Sequence, residues 1–273
     1  MKLSIITVNL NNRDGLQKTI DSVICQTFRD FEWIVIDGGS TDGSKELIEH
    51  YSDHFAYWVS EPDKGIYNAM NKGTKIAQGE YIQFLNSGDW YCHSDSLESS
   101  FSFNPKADIV YADCNILEHG KIVGTCCYPE IVSLKEILDE HICHNSTFFR
   151  RELFDNNPYC EKMLLASDLK FLLQRLLENK SFEHVPTTLV NYNMEGISST
   201  HPELLEKEKN NIINDVIPIS IQKDLQTMAF LNVHKKDELL EKVDYYRHSS
   251  RYYRKFISAS VMLMNHVFQL KKR

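Results

Sequence analysis

Acidic side chains stand where apolar segments of this chain end. Asp37 closes the run Trp33–Ile36, and a loop of small residues, Gly38–Gly43, follows it before a predicted helix. Asp89 stands in a similar place, shortly after the apolar segment Tyr81–Leu85. An open α/β sheet builds its ligand crevice at the carboxyl ends of its parallel strands. The sequence therefore predicts a site for a small polar molecule, and a nucleotide is the first candidate.

Strands and helices are predicted to alternate through the first 90 residues. Apolar segments indicate the strands, and apolar residues at helical spacing indicate the helices between them. The predicted strands are Leu3–Val8, Phe31–Ile36, Tyr57–Val59 and Tyr81–Leu85, and the predicted helices are one capped by Asp14, Ser44–Tyr51 and Ile66–Ala77. Short connections in this order favour a parallel, right-handed wound sheet flanked by helices.

After about residue 90 the alternation changes to a smaller, mixed region. The predicted strands there are Ile109–Ala112, Ile122–Cys126, Thr147–Phe149 and Thr187–Tyr192, and the predicted helices are Ser133–Asp139 and Met163–Asn179. From about Pro202 onward the sequence is helical and more charged. We therefore expect an α/β fold with a mostly parallel wound sheet in residues 1–200, followed by a helical C-terminal extension, 201–273.

Composition narrows the class of protein. The chain has 273 residues and a net charge of −8, which argues against a general nucleic-acid binder. Its seven cysteines contain no CxxC pair, so neither a disulfide framework nor a zinc ribbon is indicated. The apolar stretch at the N-terminus is too short for a signal peptide, and no transmembrane helix is predicted. We expect a cytoplasmic protein with no nucleic-acid partner.

Three sequence blocks carry a family resemblance. Ser4–Asn9, Ile36–Ser44 and Gly79–Asp89 together resemble a family 2 glycosyltransferase with the GT-A (Rossmann-like) fold, and Glu61–Gly73 is similar to enzymes of bacterial surface-polysaccharide assembly. The resemblance covers about residues 1–90 closely. It implies an inverting enzyme that moves a sugar from a nucleotide-diphosphate donor, commonly a UDP-sugar, to a glycan or lipid-linked acceptor. It also implies a divalent cation, Mn²⁺ or Mg²⁺.

The donor needs contacts to its base and to its pyrophosphate. Thr7, Val8 and Asn9 end the first strand beside Asp37, so we expect these four residues to bind the base. A carboxylate at Asp37 suits the N–H of uracil, and the alternative is that Asp37 only caps the turn. Lys64 either approaches the donor or remains a solvated lysine.

The expected metal motif is altered in this chain. Its position reads Asn86-Ser87-Gly88-Asp89, so Asn86 and Gly88 stand where the family has its two aspartates. Asp89 keeps the carboxylate and is the predicted metal ligand, while Asn86, Ser87 and Gly88 are predicted to bind the donor. A cation on the pyrophosphate oxygens stabilises the leaving group. The departure leaves open whether the metal is strictly required.

The acceptor hydroxyl needs one general base. Asp168, within Leu165–Phe171, matches the base of the family, and the alternative is an acid that complements the dipole of the helix it begins. His144 is predicted to contact the donor or acceptor, or else to be a structural histidine. The segment Gly196–Ser199 resembles a loop that closes over the donor phosphates.

The C-terminal segment differs from the acidic remainder of the chain. Residues 247–256 interleave basic and aromatic side chains, 257–270 are largely apolar, and Lys271–Arg273 are basic. Such a segment suits a helix at a membrane interface, which would place the protein on the inner face of the cell membrane. The alternative is a helix that packs on the catalytic domain or on a second subunit of a homodimer.

Two other functions remain as alternatives. A sugar-nucleotidyltransferase shares the wound sheet but needs a glycine-rich, basic phosphate loop after the first strand, and the asparagines after Val8 fit that poorly. A non-catalytic nucleotide-sugar-binding protein would be favoured if the altered metal motif has lost activity. A dehydrogenase is disfavoured because GxGxxG is absent after the first strand.

Overall fold

The computed structural model describes residues 1–134, 136–140, 142–194 and 201–223. The chain divides into two units, Met1–Val216 and Ile217–Arg273. Every helix and strand named below belongs to the first unit. That unit therefore contains residues 1–200 together with the first part of the predicted helical extension.

The first half of the sheet is parallel. Its strands, in the order β3-β2-β1-β4, are β1 (Leu3–Asn9), β2 (Phe31–Asp37), β3 (Tyr57–Ser60) and β4 (Tyr81–Phe84). β1 is buried along its whole length and pairs with β2 and β4 at its two edges, as expected for a central strand of a parallel sheet whose faces are covered by helices. Asn9 lies opposite Asp37 in the register, so these two residues end neighbouring strands together.

Three helices connect these strands, and the predicted alternation is confirmed. They are α1 (Arg13–Ile24), α2 (Ser44–His50) and α3 (Ile66–Ile76). The predicted cap at Asp14 was wrong, because Asn12 is the N-cap and its side-chain oxygen accepts from Gly15 N at 3.2 Å. Asp14 lies in the first turn instead, where an acidic side chain complements the helix dipole.

The second half of the chain extends the same sheet. Its strands are β5 (Trp90–Tyr91), β6 (Ile109–Glu118), β7 (Lys121–Cys126), β8 (Thr147–Arg150) and β9 (Phe182–Asn193). The order continues β4-β8-β6-β9-β5, with β7 paired to β6. β8 lies antiparallel between β4 and β6, whereas β6 and β9 are parallel. The predicted α/β class is thus confirmed, and the parallel pairs of the described sheet are joined by antiparallel ones, of which those of β8 link its two halves.

Among the described residues of this half are the α-helices α4 (Ser96–Ser102), α5 (Ser167–Leu177) and α6 (Pro202–Val216). α5 is shorter than the predicted Met163–Asn179, because residues 164–166 form a separately bonded turn before it and Asn179 has a φ of +57° after it. The predicted helix at Ser133–Asp139 is a short π-helical turn, Glu136–Glu140. None of the helices in the described ranges has the length and apolar character needed to cross a bilayer.

An aromatic cluster fixes α5 against the sheet. Phe171 of α5 stacks on Phe154 with ring centroids 4.5 Å apart, and Phe149 of β8 and Tyr159 meet the same ring edge-on. Aromatic pairs of this kind add to the free energy of burial. The start of α5 is therefore held close to the sheet and, through Tyr159 and Tyr67, to the start of α3, which positions Asp168 in the first turn of α5.

Candidate active site

Asp37 organises the loop at the end of β2. One carboxylate oxygen accepts from Asn9 Nδ2 at 2.7 Å and Ser40 Oγ at 2.5 Å. The other accepts from Ser60 Oγ at 2.6 Å and from the backbone N–H groups of Gly39 and Ser40. Burial alone would raise the pKa of Asp37, but the hydrogen bonds from Ser40, Ser60 and Asn9 hold it below the ordinary value. Asp37 is therefore an ionised, fully buried anchor of this loop.

This geometry corresponds to the turn-capping alternative for Asp37. The contact between Asp37 and a base stays a prediction, since both of its oxygens already accept hydrogen bonds. The Thr7 side chain, predicted to bind the base, lies in the core and its hydroxyl accepts from Trp33 Nε1 at 3.0 Å. Any donor contact of Thr7 would have to use its main chain. Val8 is also buried, and its carbonyl accepts from Ser87 N at 3.1 Å.

Replacing Asp37 by Ala should destabilise the fold by about 3 kcal/mol, because it leaves several buried donors without an acceptor. Urea denaturation measures this loss, and the exposed turn residue Asp42 supplies the control, with Asp42→Ala costing about 1 kcal/mol. The contribution of Asp37 should be complete above pH 3.8, the ordinary pKa, and disappear as the pH falls through the lowered folded value. Equal losses for the two variants would contradict the anchoring role.

The loop after β1 joins the other two crevice loops. Asn11 Oδ1 accepts from Thr41 N at 2.9 Å, on the side of the Asp37 loop. Asn12 Nδ2 donates to the Ser87 carbonyl at 2.9 Å, on the side of the altered metal motif. Asp42 accepts from Arg13 N and Ser44 N, and so caps the turn as its position suggests. The ends of β1, β2 and β4 are thereby hydrogen-bonded into one crevice edge.

Asp89 is buried, with 5% of its surface exposed. One oxygen accepts from Asn145 Nδ2 at 2.7 Å, and the other accepts from Asn193 N at 2.8 Å. Burial raises the pKa of Asp89 to about 7, against the opposing influence of the Asn193 N–H and of His144. Burial thus favours the protonated carboxyl of Asp89 far more than in an exposed aspartate.

The backbone conformation favours glycine at one position of the altered motif. Gly88 has a φ of +99°, in the left-handed region that side chains other than glycine rarely adopt. An added Cβ would also lie 3.1 Å from Asn12 Nδ2. An aspartate would be strained at this position, which accounts for its absence there.

Asp168 is held by two side chains at the start of α5. Its Oδ1 accepts from the Tyr67 hydroxyl at 2.9 Å, and its Oδ2 lies 3.1 Å from His144 Nδ1. The other ring nitrogen of His144 lies 3.0 Å from Asn86 Nδ2. With the Asn86 amide so oriented, Nε2 accepts and Nδ1 carries the proton that His144 donates to Asp168. About a fifth of the Asp168 side chain, 21%, remains exposed.

Burial and then the charge of Asp168 raise the pKa of Tyr67 well above its ordinary value. The phenol therefore keeps its proton and acts as a hydrogen-bond donor to Asp168 throughout the physiological range. Tyr67 lies on α3 and packs against Tyr159 with ring centroids 5.4 Å apart. Nothing in the sequence marks the Tyr67 hydroxyl as a partner of Asp168.

The turn His144–Ser146 connects the acids of the crevice. His144 contacts Asp168 and Asn86, while the next residue, Asn145, contacts Asp89. The three loops described above complete the path to Asp37. The predicted acids thus belong to one hydrogen-bonded region at the carboxyl ends of β1, β2 and β4. Lys64 is exposed in the loop before α3, and its donor contact stays a prediction.

From the sequence, Asn68 and Asn71 of α3 could either line the crevice or lie on the helix surface. Both donate to Glu161, and Asn71 also bonds the main chain of Tyr159 in both directions. Gly196, Ser198, Ser199 and the C-terminal segment 247–273 lie outside the described residues.

The crevice contains buried amide oxygens that suit a cation or a polar ligand. The side-chain oxygens of Asn9, Asn86 and Asn145 have no hydrogen-bond partner in the part of the chain that the structure describes, although each amide nitrogen has one. Such acceptors usually have a partner when buried. Across the described ranges, no group of three His, Cys, Asp or Glu side chains could hold a metal alone. The donor set of Asp89 and amide oxygens fits Mg²⁺ or Mn²⁺ completed by phosphate oxygens.

Comparison with known sequences identifies the proteins that this chain resembles. The model of the family described as Glycosyl transferase family 2 matches residues 4–116. An uncharacterized glycosyltransferase of Mycobacterium tuberculosis is 46% identical over 184 residues, which cover 64% of this chain and 69% of that protein. A PGL/p-HBAD biosynthesis glycosyltransferase of Mycobacterium bovis is 28% identical over 215 residues, covering 75% and 81% of the two chains.

Solved structures share the fold at low sequence identity. TarS of S. aureus in complex with UDP-GlcNAc superimposes with a TM-score of 0.66 at 21% identity, covering 86% of this chain and 72% of that chain. The mannosyltransferase PcManGT from Pyrobaculum calidifontis, in complex with GDP-Man and Mn²⁺, gives a TM-score of 0.62 at 15% identity, covering 96% and 80%. The predicted GT-A fold is confirmed by these likenesses.

Proposed function

Since the chain belongs to glycosyltransferase family 2, we propose that it moves a sugar from a nucleotide-diphosphate donor, first of all a UDP-sugar, to a glycan or lipid-linked acceptor with inversion. The observation that carries the proposal is the placement of Asp168. This acid is partly exposed, hydrogen-bonded at both oxygens, and connected through His144 to the loop that ends β4. A purely structural acid at a helix start would not need both partners.

Asp168 acts in the proposed reaction as the general base. The acceptor hydroxyl gives its proton to an Asp168 oxygen while its own oxygen attacks the anomeric carbon from the face opposite the diphosphate. About a fifth of the Asp168 side chain, 21%, stays exposed, which leaves the carboxylate accessible to an acceptor hydroxyl. Tyr67 and His144 hold the carboxylate in one orientation, which lowers the cost of alignment.

The other loops receive the donor. Asn9 and Asp37, with the main chains of Thr7 and Val8, form the proposed base subsite. Lys64, exposed in the loop before α3, is the residue proposed to reach the pyrophosphate. Asn86, Ser87, Gly88 and Asp89 form the proposed diphosphate subsite. Asp89 would hold Mn²⁺ or Mg²⁺, which when bound supplies Lewis-acid stabilisation of the charge on the departing diphosphate.

The names of similar proteins support the donor class. TarS is solved with UDP-GlcNAc, and PcManGT with GDP-Man and Mn²⁺. Both ligands are nucleotide-diphosphate sugars, although their bases differ. The unpaired, buried side-chain oxygen of Asn9 suits a base that offers a ring N–H group, as uracil and guanine both do.

Nucleotide release tests this function. Purified protein is incubated with a panel of UDP- and GDP-sugars, with and without Mn²⁺, and the freed nucleotide is measured. We expect release from one donor class and faster release with Mn²⁺. Binding without release from any donor would instead favour a non-catalytic nucleotide-sugar-binding protein, for which the altered Asn86–Asp89 motif is the supporting observation.

The acceptor and the cellular location are proposed from a separate observation. The basic, aromatic and apolar character of residues 247–273 motivates a membrane-surface contact, which suits a lipid-linked acceptor. Flotation with anionic liposomes tests this contact. A chain that ends near residue 230 and floats as well as the full chain would contradict it.

A further inference from the structure

Glu208 of α6 has an unusual environment for an acidic side chain. It is 8% exposed, and together with Ile212 it forms the buried part of α6. Its Oε1 accepts from Leu164 N at 2.8 Å, and its Oε2 accepts from Leu165 N and Ala166 N, each at 3.0 Å. Burying a carboxylate is costly unless hydrogen bonds compensate for lost water, and three backbone donors do so here.

The three N–H groups belong to the turn that leads directly into Asp168. Ala166 is the N-cap of α5, and its side chain cannot cap the helix. Ser167 is engaged elsewhere, since its hydroxyl accepts from Cys160 N at 2.6 Å. The conformation of the turn therefore depends on an acceptor from outside, and Glu208 supplies it.

We propose that Glu208 is a positioning residue for Asp168, an inference that rests on the proposed role of Asp168 as base. Glu208 fixes residues 164–166 from one side, while Tyr67 and His144 fix the Asp168 carboxylate from the other. Together these contacts set both the backbone and the side chain of the base. The catalytic unit thereby includes α6, which lies beyond the predicted domain of residues 1–200.

Amide hydrogen exchange tests, without any substrate, whether Glu208 holds the turn of residues 164–166. Glu208→Gln keeps one acceptor oxygen and the side-chain shape, and Glu206→Gln alters an exposed acid of the same helix as the matched control. We expect faster exchange of the amides of residues 164–166 in Glu208→Gln and none of this change in Glu206→Gln. Unchanged exchange in Glu208→Gln would overturn the proposal.

A double-mutant cycle tests whether Glu208 acts through Asp168. With the nucleotide-sugar panel and Mn²⁺, Glu208→Gln should lower kcat up to about 100-fold, the order expected for a displaced catalytic group, with little change in donor KM. In an Asp168→Asn background the same substitution should have little further effect. A full additional loss in that background would overturn the positioning role. If Asp168→Asn alone leaves activity intact, the assignment of Asp168 as the general base is contradicted instead. The exchange result still decides whether Glu208 holds the turn of residues 164–166.

Discussion

Asp168→Asn is expected to lower kcat by about 10²–10⁴-fold, because an amide cannot take the proton of the acceptor hydroxyl. Binding of UDP, measured by calorimetry, should change little, since Asp168 faces the acceptor in the proposed reaction. The variant should also fold. His144 can shift its proton to Nε2, and the Asn86 amide can then turn its unpaired oxygen toward it, so that the isosteric amide keeps its contacts to Tyr67 and His144.

Asp14→Asn is the matched control for this prediction. Asp14 is likewise an acid in the first turn of a helix, but it is 93% exposed and forms its ion pair with the neighbouring Arg13. If acids at helix starts serve only the helix dipole, both variants should have similar, small effects. Wild-type turnover in Asp168→Asn would show that Asp168 has that lesser role.

Asp89→Asn should lower kcat by about 10³-fold, equivalent to about 4 kcal/mol of transition-state stabilisation, if Asp89 holds the cation on the diphosphate. It should also abolish Mn²⁺ binding that depends on UDP, measured by titrating Mn²⁺ with and without the nucleotide. The fold should survive, because the Asn145 amide can reverse, so that its free oxygen accepts from the amide that the substitution introduces. Unaltered Mn²⁺ binding in the presence of UDP would contradict the assignment.

The affinity of this site for Mn²⁺ should change with pH in a defined direction. Burial raises the pKa of Asp89 to about 7, so a cation must displace a proton from much of the protein below that pH. Affinity for Mn²⁺ with UDP should therefore rise through pH 7 and then level. Without ligands, ionising Asp89 costs stability, so this residue's contribution should fall as the pH rises from 3.8 toward 7. The Asp89→Asn variant should show neither trend.

The sequence predicts the parallel half of the sheet well for a physical reason. Buried parallel strands are continuous apolar runs, and their polar ends mark the crevice, as at Asn9 and Asp37. The pairing of β8 between β4 and β6 was not predictable, because its residues indicate a strand without indicating its neighbours. Long-range pairing depends on packing that no local pattern contains.

The candidate site, too, could be predicted from the sequence only in part. Motif position identifies Asp37, Asp89 and Asp168, but their partners come from distant segments. Glu208 is 42 residues from Ala166, the nearest residue of the turn it holds, and Asn193 is 104 residues from Asp89. In a charged helix such as α6, one acid resembles another until its burial is known. The sequence also could not reveal that the oxygens of Asp37 are already occupied.

A crystal structure of the protein with UDP and Mn²⁺ is the most direct measurement. We predict that the base lies at the ends of β1 and β2, that the diphosphate and the cation lie beside Asp89, and that the open side of the diphosphate faces Asp168. A nucleotide bound elsewhere, or an Asp168 carboxylate turned away from the diphosphate, would contradict the proposal that these acids serve one transfer site.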